Sequence, residues 1–324
     1  MRLLYLSILQ ILVGVIVALS RPTVWAVQVQ GGAADGGALL KAGKTAEARE
    51  AFEARLATEP GDTDAGAAEL AASERLALEA RAAGNMDEAL RALLRAQSFV
   101  PHNAHLLFDL GILEDQMRLF HDADKSLAAA AELDPGNAML LYAQARVKMD
   151  LGQLDPAKEK MQAYLKLRPD DAGAHYGLGR IYRLGMEFDK AQAEFQRSIE
   201  LQPTQTESYY ELGDLALKQG NFAEAIAQFS KTLERDSKHG GALEGAGEAY
   251  FKQKQYERAK TFLERAVAAA PNYSPSHYYL GLTLARLGRK EDSERELETA
   301  AKLADAENKN AAMQYQLLTP TATP

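Results

Sequence analysis

The sequence predicts an all-α protein in which a short helical hairpin is repeated along the chain. Prolines recur at a fixed interval of 34 residues, with one beat omitted before the last: Pro101, Pro135, Pro169, Pro203 and Pro271. The frame Asp170–Pro203 reads as two short amphipathic helices that are broken near Leu184-Gly185. A period of this size is typical of a repeat architecture, in which each unit buries its apolar face against its neighbours.

Composition excludes several classes of site. The chain has 324 residues, a formal net charge of −8 and no cysteine. Without cysteine there is no disulfide framework, no thiolate zinc site and no cysteine nucleophile. The acidic balance comes without a clustered run of lysine and arginine, which phosphate binding requires, so nucleic acid is not an expected partner.

The N-terminus predicts export. Leu3–Leu19 is almost entirely apolar, follows Arg2, and precedes the small-residue site Val24-Trp25-Ala26. As a helix it would span roughly 25 Å, less than the ~30 Å hydrocarbon core of a membrane. We therefore predict a cleaved secretory signal over 1–26 and a protein of the periplasm, the cell envelope or the extracellular space. The alternative is an uncleaved anchor, the one case in which a membrane contact is expected.

The remaining segments follow from glycines, prolines and the period. The predicted order is a signal peptide, a flexible leader, a partial repeat, an array of about seven units, a C-terminal capping helix and a disordered tail: residues 1–26, 27–38, 39–62, 63–307, 308–318 and 319–324. The interval from Pro60 to Pro101 is one heptad longer than the period. Because no strong breaker lies between Ala67 and Ala83, we expect a longer first helix in that unit.

The repeated residues carry a family pattern. The frame that starts at Asp170 shows it most completely, with Leu178-Gly179, Tyr182, Ala191, Phe195, Ser198 and Pro203. This pattern resembles the tetratricopeptide repeat. The resemblance implies a right-handed superhelical solenoid of antiparallel helix pairs, and each unit gains its stability by stacking on its neighbours.

Small and large residues alternate in the same register. A glycine or alanine lets the second helix of each pair approach the first at positions 77, 111, 145, 179, 213, 247 and 281. Alanines twelve residues later are expected to meet that gap. Large residues are expected to fill the groove toward the next unit: Leu93, Leu127, Met161, Phe195, Phe229, Leu263 and Leu297.

No catalytic, cofactor or metal site is predicted. Gly177-Leu178-Gly179 begins like a dinucleotide loop, but no strand precedes it and the third glycine is absent. His102 and His105 could share a helix face, yet no third ligand is near them in sequence. His175 and His277 occupy equivalent first-helix positions and are expected to be packed or surface histidines. We therefore expect no enzymatic activity and no cofactor.

The resemblance implies a binding groove on the inner surface, which the first helices of the pairs line. The position three residues before each small residue points there in the family, and it holds Phe108, Tyr142, Tyr176, Tyr210, Glu244 and Tyr278. At roughly 10 Å per unit this ladder could hold an extended peptide of about 15 residues. A tyrosine at this position is also common in the family's structural consensus, so packing is the alternative role.

Charge changes sign along the same face. Arg146, Arg180 and Arg183 lie in its middle, and Asp214 and Glu248 follow. Family members that grip C-terminal carboxylates use a lysine in the aromatic position and an asparagine after the small residue. Neither is present here, so that clamp is not expected. A bipolar groove could align a peptide with its acidic part near the arginines, or the charges could serve solubility alone.

Three functions stay open on the sequence. The first is a non-enzymatic scaffold that binds a peptide or protein partner in the groove. The second is a structural accessory of envelope assembly, polysaccharide export or secretion that uses the outer face or the helix ends. The third is a non-catalytic subunit of an enzyme complex.

Overall fold

The computed structural model describes the backbone of residues 36–318 and side chains as far as residue 309. The predicted signal peptide and the predicted tail lie outside the described residues. The leader prediction is wrong for residues 36–38, because the first helix already begins at Gly36. Gly36 allows this by its lack of a side chain: a Cβ there would lie 2.5 Å from the ring of Phe52.

The regular structure of residues 36–318 is helical throughout, which confirms the predicted all-α fold. The chain divides after His102 into two compact units. The first unit contains α1 (Gly36–Lys41), α2 (Thr45–Thr58), α3 (Thr63–Ala82) and α4 (Met86–Phe99). The second contains α5 (Ala104–Gln116), α6 (Phe120–Leu133), α7 (Ala138–Asp150), α8 (Leu154–Leu167), α9 (Ala172–Leu184), α10 (Phe188–Leu201), α11 (Thr206–Lys218), α12 (Phe222–Arg235), α13 (Gly240–Lys252), α14 (Tyr256–Ala269), α15 (Ser274–Arg286) and α16 (Lys290–Leu318).

Helices pack as consecutive pairs, and each second helix also packs on the first helix of the following pair within its unit. In the second unit the odd-numbered helices are the first members of the pairs. Each of them has 13 residues. Helix α3 has 20 residues, so it takes up the extra heptad as expected.

The large residue of each second helix packs on the small residue of its own pair. A Cβ on Gly179 would lie 2.6 Å from the ring of Phe195, and one on Gly213 would lie 2.7 Å from Phe229. Phe229 also contacts the next pair, since a Cβ on Gly245 would lie 2.5 Å from its ring. The predicted close approach of the two helices in a pair is therefore confirmed. Phe229 fills the space between the helices of its own pair as well as the groove toward the next pair. Its ring is long enough to contact both helices.

The turn inside each pair uses a left-handed residue at the same register position. Glycine provides it in the α7–α8 turn, where Gly152 has φ +72°, and in the α11–α12 turn, where Gly220 has φ +78°. The three turns without glycine use Arg118, Met186 and Lys254 at φ values near +60°. A side chain in this conformation brings Cβ too close to the backbone, so these three turns store strain.

Replacing Met186 with glycine is expected to raise the free energy of unfolding by about 1 kcal/mol, because the left-handed strain exceeds the added entropy of the unfolded chain. Little packing is lost, since Met186 is 76% exposed. Guanidinium denaturation followed by circular dichroism measures the change. The reverse substitution, Gly220→Met, should lower stability by a similar amount. An unchanged midpoint for Met186→Gly would contradict the strain.

The last helix differs from the prediction. Residues 308–318 were expected to form a separate capping helix, but α16 runs without a break from Lys290 to Leu318. The reason is visible in the sequence, which has neither proline nor glycine between Gly288 and Pro320. Over the described residues, no helix is both long enough and apolar enough to cross a membrane.

Candidate functional site

The first helices of the second unit form the candidate surface, which we call the first-helix face (α5, α7, α9, α11, α13 and α15). Neighbouring first helices pack on one another along much of it. Five ladder residues are half-buried, namely Phe108, Tyr142, Tyr176, Tyr210 and Glu244, whereas Tyr278 is 48% exposed. Each ladder residue therefore has a packed part and a part that a ligand can reach.

The packed part is set by the second helices. The ring of Tyr176 lies 5.9 Å from that of Phe195, and the ring of Tyr210 lies 6.0 Å from that of Phe229, centroid to centroid. Burial raises the pKa of both tyrosines, and it brings that of Tyr210 to about 12 with help from the Asp214 carboxylate. Both hydroxyls thus stay neutral near pH 7 and can donate or accept a hydrogen bond.

Four of the predicted residues line one cavity of about 80 Å³ at α7 and α9. Its lining residues include two tyrosines, two arginines and two methionines: Tyr142, Tyr176, Arg146, Arg180, Met149 and Met161. The cavity can hold a few water molecules or the end of one side chain. Its walls offer aromatic surface, flexible apolar surface and positive charge.

The three predicted arginines differ in their partners. Arg146 Nη2 lies 3.1 Å from Oδ2 of Asp115, a buried carboxylate. Arg183 Nε lies 2.9 Å from Oε2 of buried Glu211. The two groups form an ion pair, but the Nε–H donates no hydrogen bond to any described residue. Arg180 instead lies over the ring of Tyr176, with Cζ 5.9 Å from the centroid. No carboxylate of the described residues forms an ion pair with Arg180.

The acidic part of the face begins at the next pair of helices. Asp214 forms a 2.7 Å ion pair with Lys218, and Glu248 accepts a 2.6 Å hydrogen bond from the Tyr279 hydroxyl. Glu244 lies between them. Burial, together with the Glu248 and Asp214 carboxylates, raises the pKa of Glu244 to about 7. The structure gives Glu244 no hydrogen bond and no ion pair among the described side chains.

The ladder is thus only partly one site. Phe108 packs in a separate core cluster around Leu127, and Tyr278 lines another cavity with Tyr279 between α15 and α16. Arg183 is neutralised by its pairing across to α11. Sequence reasoning missed Asp115 and Glu211, which decide the charge of the face. Register alone could not have found them, because an ion pair depends on where two side chains end in space.

Of the two roles predicted for the first-helix histidines, packed or at the surface, both residues have the packed one. His175 Nδ1 lies 2.6 Å from Oε2 of Glu194, and its Nε2 lies 3.0 Å from the carbonyl oxygen of Pro169. His277 makes the same two contacts with Glu296 and the carbonyl of Pro271. Each ring ties the two helices of its pair to the preceding proline.

Comparison with known proteins agrees with this geometry. The model of the tetratricopeptide repeat family matches residues 142–206 and 210–274. The match supports tetratricopeptide repeats over these two segments. They contain most of the candidate surface, from Tyr142 on α7 to the start of α15. No curated protein matches the chain significantly.

Solved structures show the same fold. A tetratricopeptide repeat protein from Parabacteroides merdae has a TM-score of 0.58 at 19% identity, over 71% of this chain and 91% of that one. The anaphase-promoting complex hetero-tetramer Cut9–Hcn1 has a TM-score of 0.59 at 17% identity, over 88% of this chain and 55% of that one. MamA is 28% identical, with a TM-score of 0.46, over 50% of this chain and 95% of that one. At these identities the first two likenesses establish the solenoid of helix pairs and nothing more specific.

Proposed function

We propose that this protein is a non-catalytic interaction scaffold that holds a peptide segment of a partner protein along the first-helix face of the second unit. The observation that carries the proposal is the cavity at α7 and α9. Tyr142, Tyr176 and Arg180 line it and leave side-chain surface there that a ligand can contact. Exposed aromatic edges beside a cation are typical of binding hot spots, in which tyrosine and arginine are enriched. Tetratricopeptide repeats generally act as protein-binding scaffolds, which supports the same function.

Truncating the ladder should weaken capture of the partner. We expect Tyr176→Ala and Tyr210→Ala each to lower partner recovery severalfold, because each removes an aromatic contact of about 1–2 kcal/mol. The measurement is affinity capture from the envelope fraction of the source organism, with quantitative mass spectrometry. Circular dichroism must confirm the fold, since both rings also pack on second helices.

Leu133→Ala is the matched control for this experiment. Leu133 is an exposed apolar residue at the end of α6, a second helix, and its loss should leave recovery unchanged. Equal recovery by the ladder variants and the control would exclude the first-helix face as the binding surface.

A second candidate function is that of a structural accessory of an envelope assembly, and one observation favours it. The α9–α10 turn exposes three large apolar residues, Leu184, Met186 and Phe188, at 45%, 76% and 41%. An apolar turn of this kind suits contact with a partner outside the groove. Crosslinking at Met186, compared with crosslinking at Tyr176, would separate the two functions.

Export of the protein is part of the proposal. It is supported by the residues of the N-terminal segment, in which Arg2 precedes an apolar stretch and Ala26 ends a small-residue site. Sequencing the N-terminus of the protein from its own host would distinguish a cleaved signal from a retained anchor.

A further inference from the structure

The unpaired state of Arg180 has a cause in the repeat. Arg146 and Arg180 occupy the same register position, 34 residues apart, and the equivalent of Asp115 one repeat later is Met149. Met149 lines the cavity with Arg180, in the place from which Asp115 contacts Arg146 in the preceding pair. Arg146 therefore has a carboxylate partner inside the protein. Arg180 has a methionine at the equivalent position and interacts with the Glu211 carboxylate only beyond ion-pair distance.

This substitution leaves a half-buried cation that a ligand can pair. A carboxylate that enters the cavity would meet the Arg180 guanidinium, with the Tyr176 ring and the Met149 side chain beside it. Arginine and carboxylate can form two parallel charge-assisted hydrogen bonds, which are stronger in a partly desolvated site than in water. The cavity volume admits one aspartate or glutamate side chain end.

The other end of the face has a carboxyl group without an ion-pair partner in the described part of the chain, that of Glu244. No cation of the described residues forms an ion pair with Glu244, although the face around it is crowded with ionisable groups. These are Asp214 and Tyr210 on α11, Glu248 on its own helix, and Tyr273 and Tyr279 from the following pair. Lys218 pairs with Asp214, and Lys252 lies 3.7 Å from Glu248, so neither lysine pairs with Glu244.

Most of the charged groups between these two ends are paired within the protein. Arg183 pairs with Glu211 and reaches to 4.0 Å from Asp214, which also pairs with Lys218. A ligand that lies along the face therefore meets positive charge at Arg180, a middle in which most charges are paired, and the carboxyl group of Glu244.

The distance between the ends sets the ligand's spacing. Arg180 lies on α9 and Glu244 on α13, two repeats further along the face. Successive first helices are separated by roughly 10 Å, so the two charges are about 20 Å apart. An extended peptide covers that distance in about six residues.

We propose that the first-helix face selects an extended peptide that carries an acidic side chain for Arg180 and a basic side chain about six residues away for Glu244. This inference rests on the proposed function and adds the charge pattern of the partner. Charge pairing of this kind fixes the register of the ligand and excludes segments of the wrong sign.

A displayed library of random twelve-residue peptides, selected on the purified full chain, tests the proposal. Enriched peptides should carry Asp or Glu separated by about six residues from Lys or Arg, in one fixed order. Affinity for an enriched peptide should fall about tenfold with Met149→Asp, because the new carboxylate pairs with Arg180 as Asp115 does with Arg146. Arg180→Gln should give a similar loss without adding a charge.

The pH dependence of affinity tests the pairing between Glu244 and the basic side chain of the ligand. Affinity for an enriched peptide should rise from pH 6 to pH 8, because ionised Glu244 attracts its basic side chain and deprotonation of Glu244 falls in this range. Glu244→Gln should remove the rise. Arg197→Gln is the control for Arg180→Gln, since Arg197 is an exposed arginine on α10 that pairs with Asp170 and Glu200.

The outcomes separate this inference from the proposed function. Enriched peptides whose affinity is unchanged by Met149→Asp, Arg180→Gln and Glu244→Gln would overturn the charge pattern and leave the scaffold function standing. Failure of the wild-type chain to enrich any peptide would overturn both. Losses confined to the three groove variants, with Arg197→Gln at wild-type affinity, would support the proposal.

Discussion

Replacement of Phe229 by alanine is expected to lower the free energy of unfolding of the second unit by about 4 kcal/mol. The side chain is 1% exposed and fills the space between Gly213 of its own pair and Gly245 of the next. Its ring also packs on Tyr210 at 6.0 Å. Because both facing residues are glycines, neither brings a side chain that could fill the cavity that alanine would leave.

Guanidinium denaturation, with hydrogen exchange to localise the loss to α11, α12 and α13, measures this effect. Phe229→Leu is the matched control, because leucine occupies the same register position at Leu127, Leu263 and Leu297. Leucine should cost less than about 1.5 kcal/mol. Equal losses for alanine and leucine would mean that the ring does not hold the two pairs together.

Replacement of Glu244 by glutamine is expected to stabilise the protein in a pH-dependent way. Burial first, and then the Glu248 and Asp214 carboxylates, raise the pKa of Glu244 from 4.5 to about 7. The folded state then binds this proton more tightly than the unfolded chain. Wild-type stability therefore falls as pH rises between those two values, whereas glutamine does not titrate.

At pH 8 the Glu244→Gln variant should be more stable than the wild type by on the order of 2 kcal/mol, and at pH 4 the difference should vanish. Denaturation midpoints at the two pH values measure this. Glu234→Gln, at an exposed glutamate of α12, should change stability by less than about 0.5 kcal/mol at either pH. A gain at pH 8 equal to that at pH 4 would show that Glu244 is not held in its neutral form.

The same pKa connects stability to binding. A basic side chain that pairs with Glu244 would supply the missing counter-charge and release the proton. Binding would then offset a cost that the free protein carries at neutral pH, which is how a destabilising group can be kept at a ligand site.

Much of the fold could be predicted because it is encoded locally and repeated. The proline interval, the break near Gly185 and the small residues at positions such as 179 and 213 specify helix, turn and close approach within one unit. The lengthened α3 followed from a single insertion of one heptad. The separate capping helix was the main error, because the absence of a breaker before Pro320 outweighed the expectation of a cap.

The candidate site could be predicted from the sequence only in part. The sequence by itself determined which residues line the first-helix face, since the register of Tyr142, Tyr176 and Tyr210 repeats with the fold. Only the tertiary structure decided which charges are free, because pairing depends on the positions of side-chain ends on neighbouring helices. Arg146 and Arg180 have the same register and look alike in sequence, yet one faces Asp115 and the other lies with Met149 in a cavity. Burial and the carboxylates of α11 and α13 likewise set the pKa of Glu244, and no single repeat contains both helices.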